Sequence, residues 1–169
     1  MEAGMIDHII FDVDGTLTDG GVIYSANGVE SKQFNIKDGL ILSALPSLGF
    51  TTIFLTGRNS EETTRRAKEL KVTSVLQDIS NKAEVLQRYL MENNLSERQF
   101  AYVGDDLNDY TAMKLCTFKA CPADAALEVQ KLCDYVSTKN GGHGAVRDIC
   151  EFLLRKQGQY DQFIALYNK

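Results

Sequence analysis

Two carboxylates, Asp12 and Asp14, stand two residues apart where the apolar run Ile9-Ile10-Phe11 gives way to Gly15. Side chains at that spacing on a strand share a face, so both acids project from the same strand end. Acids held that close repel unless a proton or a cation separates them. Further along, Thr56-Gly57-Arg58 follows Ile53-Phe54-Leu55, Lys82 opens a helical stretch, and Gly104-Asp105-Asp106 follows Phe100-Ala101-Tyr102-Val103. Taken singly, each group has an ordinary explanation as a turn, a solvated charge or a helix cap. All of them in this order, each at a strand or helix end, suit phosphoryl transfer through a carboxylate. Asp12 and Asp105, a backbone carbonyl near Asp14 and several waters form the hard oxygen set that Mg²⁺ takes. Asp12 would attack phosphorus and form an aspartyl-phosphate. Asp14 would protonate the leaving oxygen and then accept a proton from the hydrolytic water. The Thr56 hydroxyl and Gly57 N–H would hold the phosphoryl oxygens, and Lys82 would neutralise their charge.

The elements around these residues must bring four strand and helix ends to one place. After the acidic turn, Gly21–Ser25 and Val29–Phe34 flank Asn27-Gly28, the signature of a hairpin with a type I′ turn. Asn35-Ile36-Lys37-Asp38-Gly39 leads into Leu40, Ile41, Leu42, Ala44, Leu45 and Leu48, which reads as a helix, shortened or kinked at Pro46 and ended by Gly49. Strands then alternate with helices: a strand at 51–55, a helix capped by Ser60 through Leu70, a strand at 74–76 and a helix from Asn81 to Asn93. They continue with a strand at 100–103, a helix, a strand at 117–121, a helix from Asp124 and a strand at 134–137. Gly141-Gly142-His143-Gly144 opens a helix to about Arg155. The pattern predicts an α/β fold, a doubly wound Rossmann-like parallel sheet carrying a β-hairpin flap after its first strand. In such a sheet ligands bind beyond the carboxyl ends of the strands, where the strand order switches.

The 169 residues, 44% hydrophobic, fit one domain over residues 1–169, with 157–169 as a C-terminal helix at an interface or packed on its own domain. A net charge of −5 argues against a nucleic-acid or anionic-membrane partner. No apolar stretch spans a bilayer, and Met1-Glu2-Ala3-Gly4 lacks the basic start of a signal peptide. Cys116, Cys121, Cys133 and Cys150 form no C-x-x-C pair, which reads as reduced thiols in a cytoplasmic protein.

Phe11-Asp12-Val13-Asp14-Gly15-Thr16, Leu55-Thr56-Gly57-Arg58, Lys82 and Gly104-Asp105-Asp106-Leu107-Asn108-Asp109 together resemble the four motifs of the haloacid dehalogenase superfamily. The resemblance implies that Asp12 is the nucleophile, Asp14 the acid/base and Asp105 a metal ligand. Asp106 and Asp109 would orient metal-bound water and Lys82. Within the superfamily the chain is similar to the small cap-less phosphatases of 3-deoxy-D-manno-octulosonate 8-phosphate and of nine-carbon ulosonic acid 9-phosphates. The hairpin, Asn35-Ile36-Lys37-Asp38-Gly39, Thr56-Gly57-Arg58, Arg66 and the Gly141–Arg147 segment carry that likeness. It implies a sugar-acid phosphate as substrate, bound by Asp14, the Asn35–Gly39 turn, Thr56, Gly57, Arg58, Arg66 and Lys82. It also implies a homotetramer whose neighbouring subunit completes a site that has no cap of its own.

Two other classes use similar parts. Receiver domains of response regulators place their acidic pair first and the phosphorylated Asp mid-chain, the reverse of the order here. A non-catalytic assembly domain of a sugar-activating system would show decay at the nucleophile, yet Asp12, Asp14, Thr56, Lys82 and Asp105 are all present.

Overall fold

The computed structural model describes residues 5–95 and 99–168, so Met1-Glu2-Ala3-Gly4 lies outside the described residues. Six parallel strands form one sheet: β1 (His8–Phe11), β4 (Thr51–Leu55), β5 (Ser74–Leu76), β6 (Phe100–Val103), β7 (Phe118–Cys121) and β8 (Tyr135–Val136). Their order is β5-β4-β1-β6-β7-β8. β1 is central, with His8 in register with Thr51 on one side and Phe100 on the other. The order therefore reverses at β1, and the carboxyl ends of β1, β4 and β6 meet at the switch point.

Both faces of the sheet are covered, which is why its strands read as apolar runs rather than alternating ones. Alternate side chains divide between two cores. Ile9, Phe11, Phe54, Ala101 and Val103 enter one cluster with α1 (Ile36–Ala44), α6 (Ala145–Lys156) and Phe163 of α7 (Tyr160–Ala165). Ile10, Ile53, Leu55, Phe100 and Tyr102 enter the other with α3 (Lys82–Glu92), α4 (Leu107–Met113) and α5 (Leu127–Leu132). Remaining on the first face is α2 (Glu61–Glu69), whose N-terminus is capped by the Ser60 hydroxyl accepting from the Thr63 N–H.

Several local expectations are adjusted. The α1 helix stops at Ala44, and Pro46 falls in a 3-10 turn over Leu45–Leu48 that Gly49 closes at φ +88°. The flap has only two short strands, β2 (Ile23–Tyr24) and β3 (Glu30–Ser31), separate from the main sheet. Its turn is not type I′, because Gly28 has positive φ and Asn27 does not. The Ser25 N–H donates to the Val29 carbonyl and the Gly28 N–H to the Ser25 carbonyl, the bonds of a three-residue loop ending in a left-handed glycine. The α5 helix begins at Leu127 instead of Asp124, whose carboxylate accepts from the Gly141 N–H at 2.9 Å. At the C-terminus, α7 packs on its own domain through the buried Phe163, while Tyr167 stays exposed. All four cysteines are free thiols. Among the described residues no helix is long and apolar enough to cross a membrane.

Candidate active site

Asp12 leaves β1 with its side chain almost wholly buried. Lys82, the first residue of α3, donates from Nζ to Asp12 Oδ1 and, at 2.7 Å, to Asp109 Oδ1. The Lys82 side chain is 1% exposed, so its charge survives only through these partners. Burial works against that charge, but attraction by Asp12 and Asp109 overrides it and raises the lysine pKa. Asp109 is saturated: Oδ1 also accepts from the Tyr102 hydroxyl at 2.8 Å, and Oδ2 from the Asp105 and Asp106 N–H groups at 3.0 and 3.4 Å. It works as a bracket that fixes Lys82 and the Asp105 loop. Asp106 caps α4 instead, accepting from the Leu107 N–H at 2.8 Å, so its side chain serves the helix start.

Asp105 lies across the crevice from Asp12. One of its oxygens accepts from the Thr16 hydroxyl at 3.0 Å. Burial, then repulsion from Asp109, pushes Asp105 up to about 6, and the same two causes hold Asp12 well above the usual carboxylate range against the pull of Lys82. Carboxylate oxygens of Asp12, Asp105 and Asp109 all fall within 4.8 Å of one another. With Asp109 fully bonded to the protein, Asp12 and Asp105 are the pair left to hold a cation. Crowded, desolvated carboxylates are the donor set a hard divalent ion fits. Gly15 makes the approach possible: it has φ +98°, and a Cβ there would sit 2.1 Å from an Asp105 oxygen.

Asp14 has other partners. Its Oδ2 accepts from the Thr56 hydroxyl at 3.4 Å and its Oδ1 from Lys32 Nζ. Its side chain is thus unavailable to a cation held by Asp12 and Asp105, which leaves its main-chain carbonyl for the role expected there. The Thr56 hydroxyl in turn accepts from the Arg58 N–H at 3.3 Å, which ties the two ends of the Thr56-Gly57-Arg58 turn together. The turn follows directly on β4, so Gly57 lies at the same strand end as Thr56.

The expected substrate contacts divide. Arg58 is drawn to the flap, donating to Glu30 Oε2 at 2.9 Å, with 42% of its side chain still exposed. Arg66 donates to the Asn35 carbonyl at 3.4 Å and Glu69 at 3.3 Å, and lines a cleft of about 300 Å³ with Lys32, Phe34 and Ile36. Gly39 leaves it room, since a Cβ there would meet the Arg66 guanidinium at 2.2 Å. Asn35 caps α1 and donates to the Gly142 carbonyl at 3.2 Å. Lys37 is exposed, and so is Ile36 where it lines that cleft. Asp38 is a correction: it is 1% exposed and accepts from the Arg147 N–H at 2.7 Å, where it caps α6 instead of lining the crevice. Burial is the largest influence on its carboxyl and raises its pKa.

Sequence reasoning missed Lys32 and Glu30. Their signal was available, since opposite charges two apart on a strand share a face, but the apolar residues of the flap masked it. It also missed the reason for the Gly141-Gly142 pair. A Cβ at Gly141 would lie 1.8 Å from the Gly15 carbonyl, and one at Gly142 would lie 2.6 Å from the Asp19 N. These glycines seat the chain against the loop that carries Asp14.

A profile of haloacid dehalogenase-like hydrolases matches residues 73–149. The 3-deoxy-D-manno-octulosonate 8-phosphate phosphatase KdsC of Escherichia coli K12 is 35% identical over 154 residues, covering 91% of this chain and 82% of the relative. The chain belongs to the haloacid dehalogenase-like hydrolases, in the branch of the KdsC phosphatases. Solved structures place this hydrolase in the same company. The Moraxella catarrhalis 3-deoxy-D-manno-octulosonate 8-phosphate phosphatase, in complex with magnesium, phosphate and KDO, superposes with a TM-score of 0.92 at 37% identity, covering 96% of this chain and 94% of that one. A cobalt-bound phosphatase of the same kind from Haemophilus influenzae gives 0.86 at 33% identity over 92% and 91%.

Proposed function

We propose that this hydrolase removes phosphate from 3-deoxy-D-manno-octulosonate 8-phosphate in the cytoplasm, with residues 1–169 acting as one domain. The observation that carries the reading is the pairing of the Lys82–Asp12–Asp105 group with Asp14 and Thr56 where the carboxyl ends of β1, β4 and β6 meet. Asp12 and Asp105, with the main-chain carbonyl of Asp14, would hold Mg²⁺, which supplies charge neutralisation for the incoming phosphate. Asp12 attacks phosphorus as the sugar oxygen leaves, and Asp14 donates a proton to that oxygen. Asp14 then takes a proton from the water that hydrolyses the aspartyl-phosphate. Lys82 and the Thr56-Gly57 turn carry the charge of the phosphoryl oxygens. Arg58 and Arg66 supply guanidinium groups suited to a sugar-acid carboxylate.

The flap supports a homotetramer. Val22, Ile23, Tyr24 and Val29 are each more than half exposed, a face that a second copy of the chain would cover while closing the crevice. Phosphate release from a panel of eight- and nine-carbon ulosonic acid phosphates, with and without Mg²⁺, tests the activity and the substrate. Release fastest from the eight-carbon ester, lost reversibly with EDTA and abolished in Asp12→Asn, is expected. Preference for a nine-carbon ester would move the assignment to that branch, and no release from any ester would leave an assembly role.

A further inference from the structure

Lys32 has no part in the four motifs, yet its side chain is 2% exposed and its ammonium is held against Asp14 Oδ1. A lysine buried to that degree must have its charge answered, and Asp14 and Glu30, the latter at 3.6 Å, answer it. Glu30 is itself fixed from the other side by Arg58 at 2.9 Å. A row of alternating charge therefore runs from the β4 turn through the flap to Asp14. The two oxygens of Asp14 are made unequal by it: Oδ1 takes the ammonium, Oδ2 the Thr56 hydroxyl.

We propose that Lys32 is the positioning residue of the acid/base step, reaching from the flap to fix Asp14 and to reserve Oδ2 for the proton. This rests on the phosphatase reading above. The ammonium makes the stronger, charge-assisted bond and claims Oδ1, whereas Oδ2 meets only a hydroxyl that can rotate to accept in its turn, so Oδ2 is the oxygen left free to exchange a proton. In the first step the phosphorus–sugar oxygen bond breaks, the phosphorus–Asp12 bond forms, and the proton on Oδ2 passes to the departing oxygen. In the second, water bonds to phosphorus, the bond to Asp12 breaks, and the water proton returns to Oδ2. No other reactant enters.

The distinguishing readout is the leaving group. A sugar alkoxide needs a proton as it departs, whereas p-nitrophenolate leaves without one. Because kcat/KM reports steps only through leaving-group departure, hydrolysis of the intermediate does not mask the difference. Lys32→Met is expected to lower kcat/KM for a sugar phosphate by about 10- to 100-fold, within the usual range of general-acid catalysis. For p-nitrophenyl phosphate the fall should stay within about threefold, and Lys32→Arg should restore most of the loss. Glu30→Gln, which keeps the lysine but loosens it, should give a smaller split of the same sign and serves if Lys32→Met does not fold. Equal losses on both substrates would overturn the proposal and make Lys32 a structural or phosphate-binding residue. Wild-type protein that released phosphate from neither substrate would instead fail the phosphatase reading itself and take the proposal with it.

Discussion

At the scale of single residues, the site stores electrostatic strain that a cation relieves. Asp105 has its pKa raised from the usual 3.8 to about 6 by burial and by Asp109. The folded state therefore holds that proton more tightly than the unfolded chain does. In metal-free protein this contribution to stability is present at low pH and is lost as pH rises from about 4 through 6. A divalent cation binds the deprotonated form and should reverse the loss. Thermal melts with and without Mg²⁺ should accordingly show a larger gain at pH 8 than at pH 5; equal gains would mean that Asp105 does not hold the ion. Most of this grouping was legible in the sequence, because Asp12, Asp14, Thr56, Lys82 and Asp105 occupy strand and helix ends that periodicity alone locates. The duties of Asp38 and Lys32 were not. A carboxylate buried at a distant helix start and a lysine folded inward from a hairpin depend on tertiary contacts between segments far apart in the chain.

At the scale of elements, the strand–helix alternation was readable because each apolar run is short and bounded by glycine, asparagine or aspartate. The flap was read correctly as a hairpin but with the wrong turn, since the dipeptide Asn27-Gly28 occurs both in two-residue turns and at the end of a three-residue loop. The element with the least sequence signal for its purpose is the Gly141–Gly144 segment. Its glycines were recognisable as a helix entry, yet two of them exist for close approach to the Gly15–Asp19 loop. Gly141→Ala must push back a backbone carbonyl that would lie 1.8 Å from the new carbon. Overpacking of this kind costs about 1–3 kcal/mol, or roughly 2–10 °C in melting temperature for a chain of this size. Turnover should fall with it, because the displaced loop carries Asp14. A variant with wild-type melting and kcat would show that the loop has room to spare.

At the scale of the whole molecule, the flap is the part that a lone subunit does not explain. A two-stranded ribbon is marginal by itself, and this one leaves Tyr24 64% exposed. Val22→Glu with Tyr24→Glu should convert the proposed tetramer to smaller species in sedimentation and lower activity together. A fully active monomer at assay concentration would contradict that arrangement. The seat of the acidic loop on Gly141 and Gly142 has a different consequence, for the order in which the protein is made. The loop beside Asp12 is synthesised well over a hundred residues before the Gly141-Gly142 pair that supports it. A nascent chain therefore carries Asp12 and Asp14 without that support until Gly141 and Gly142 have been added. The proposed hydrolysis would then begin only once this later segment has closed over the earlier one.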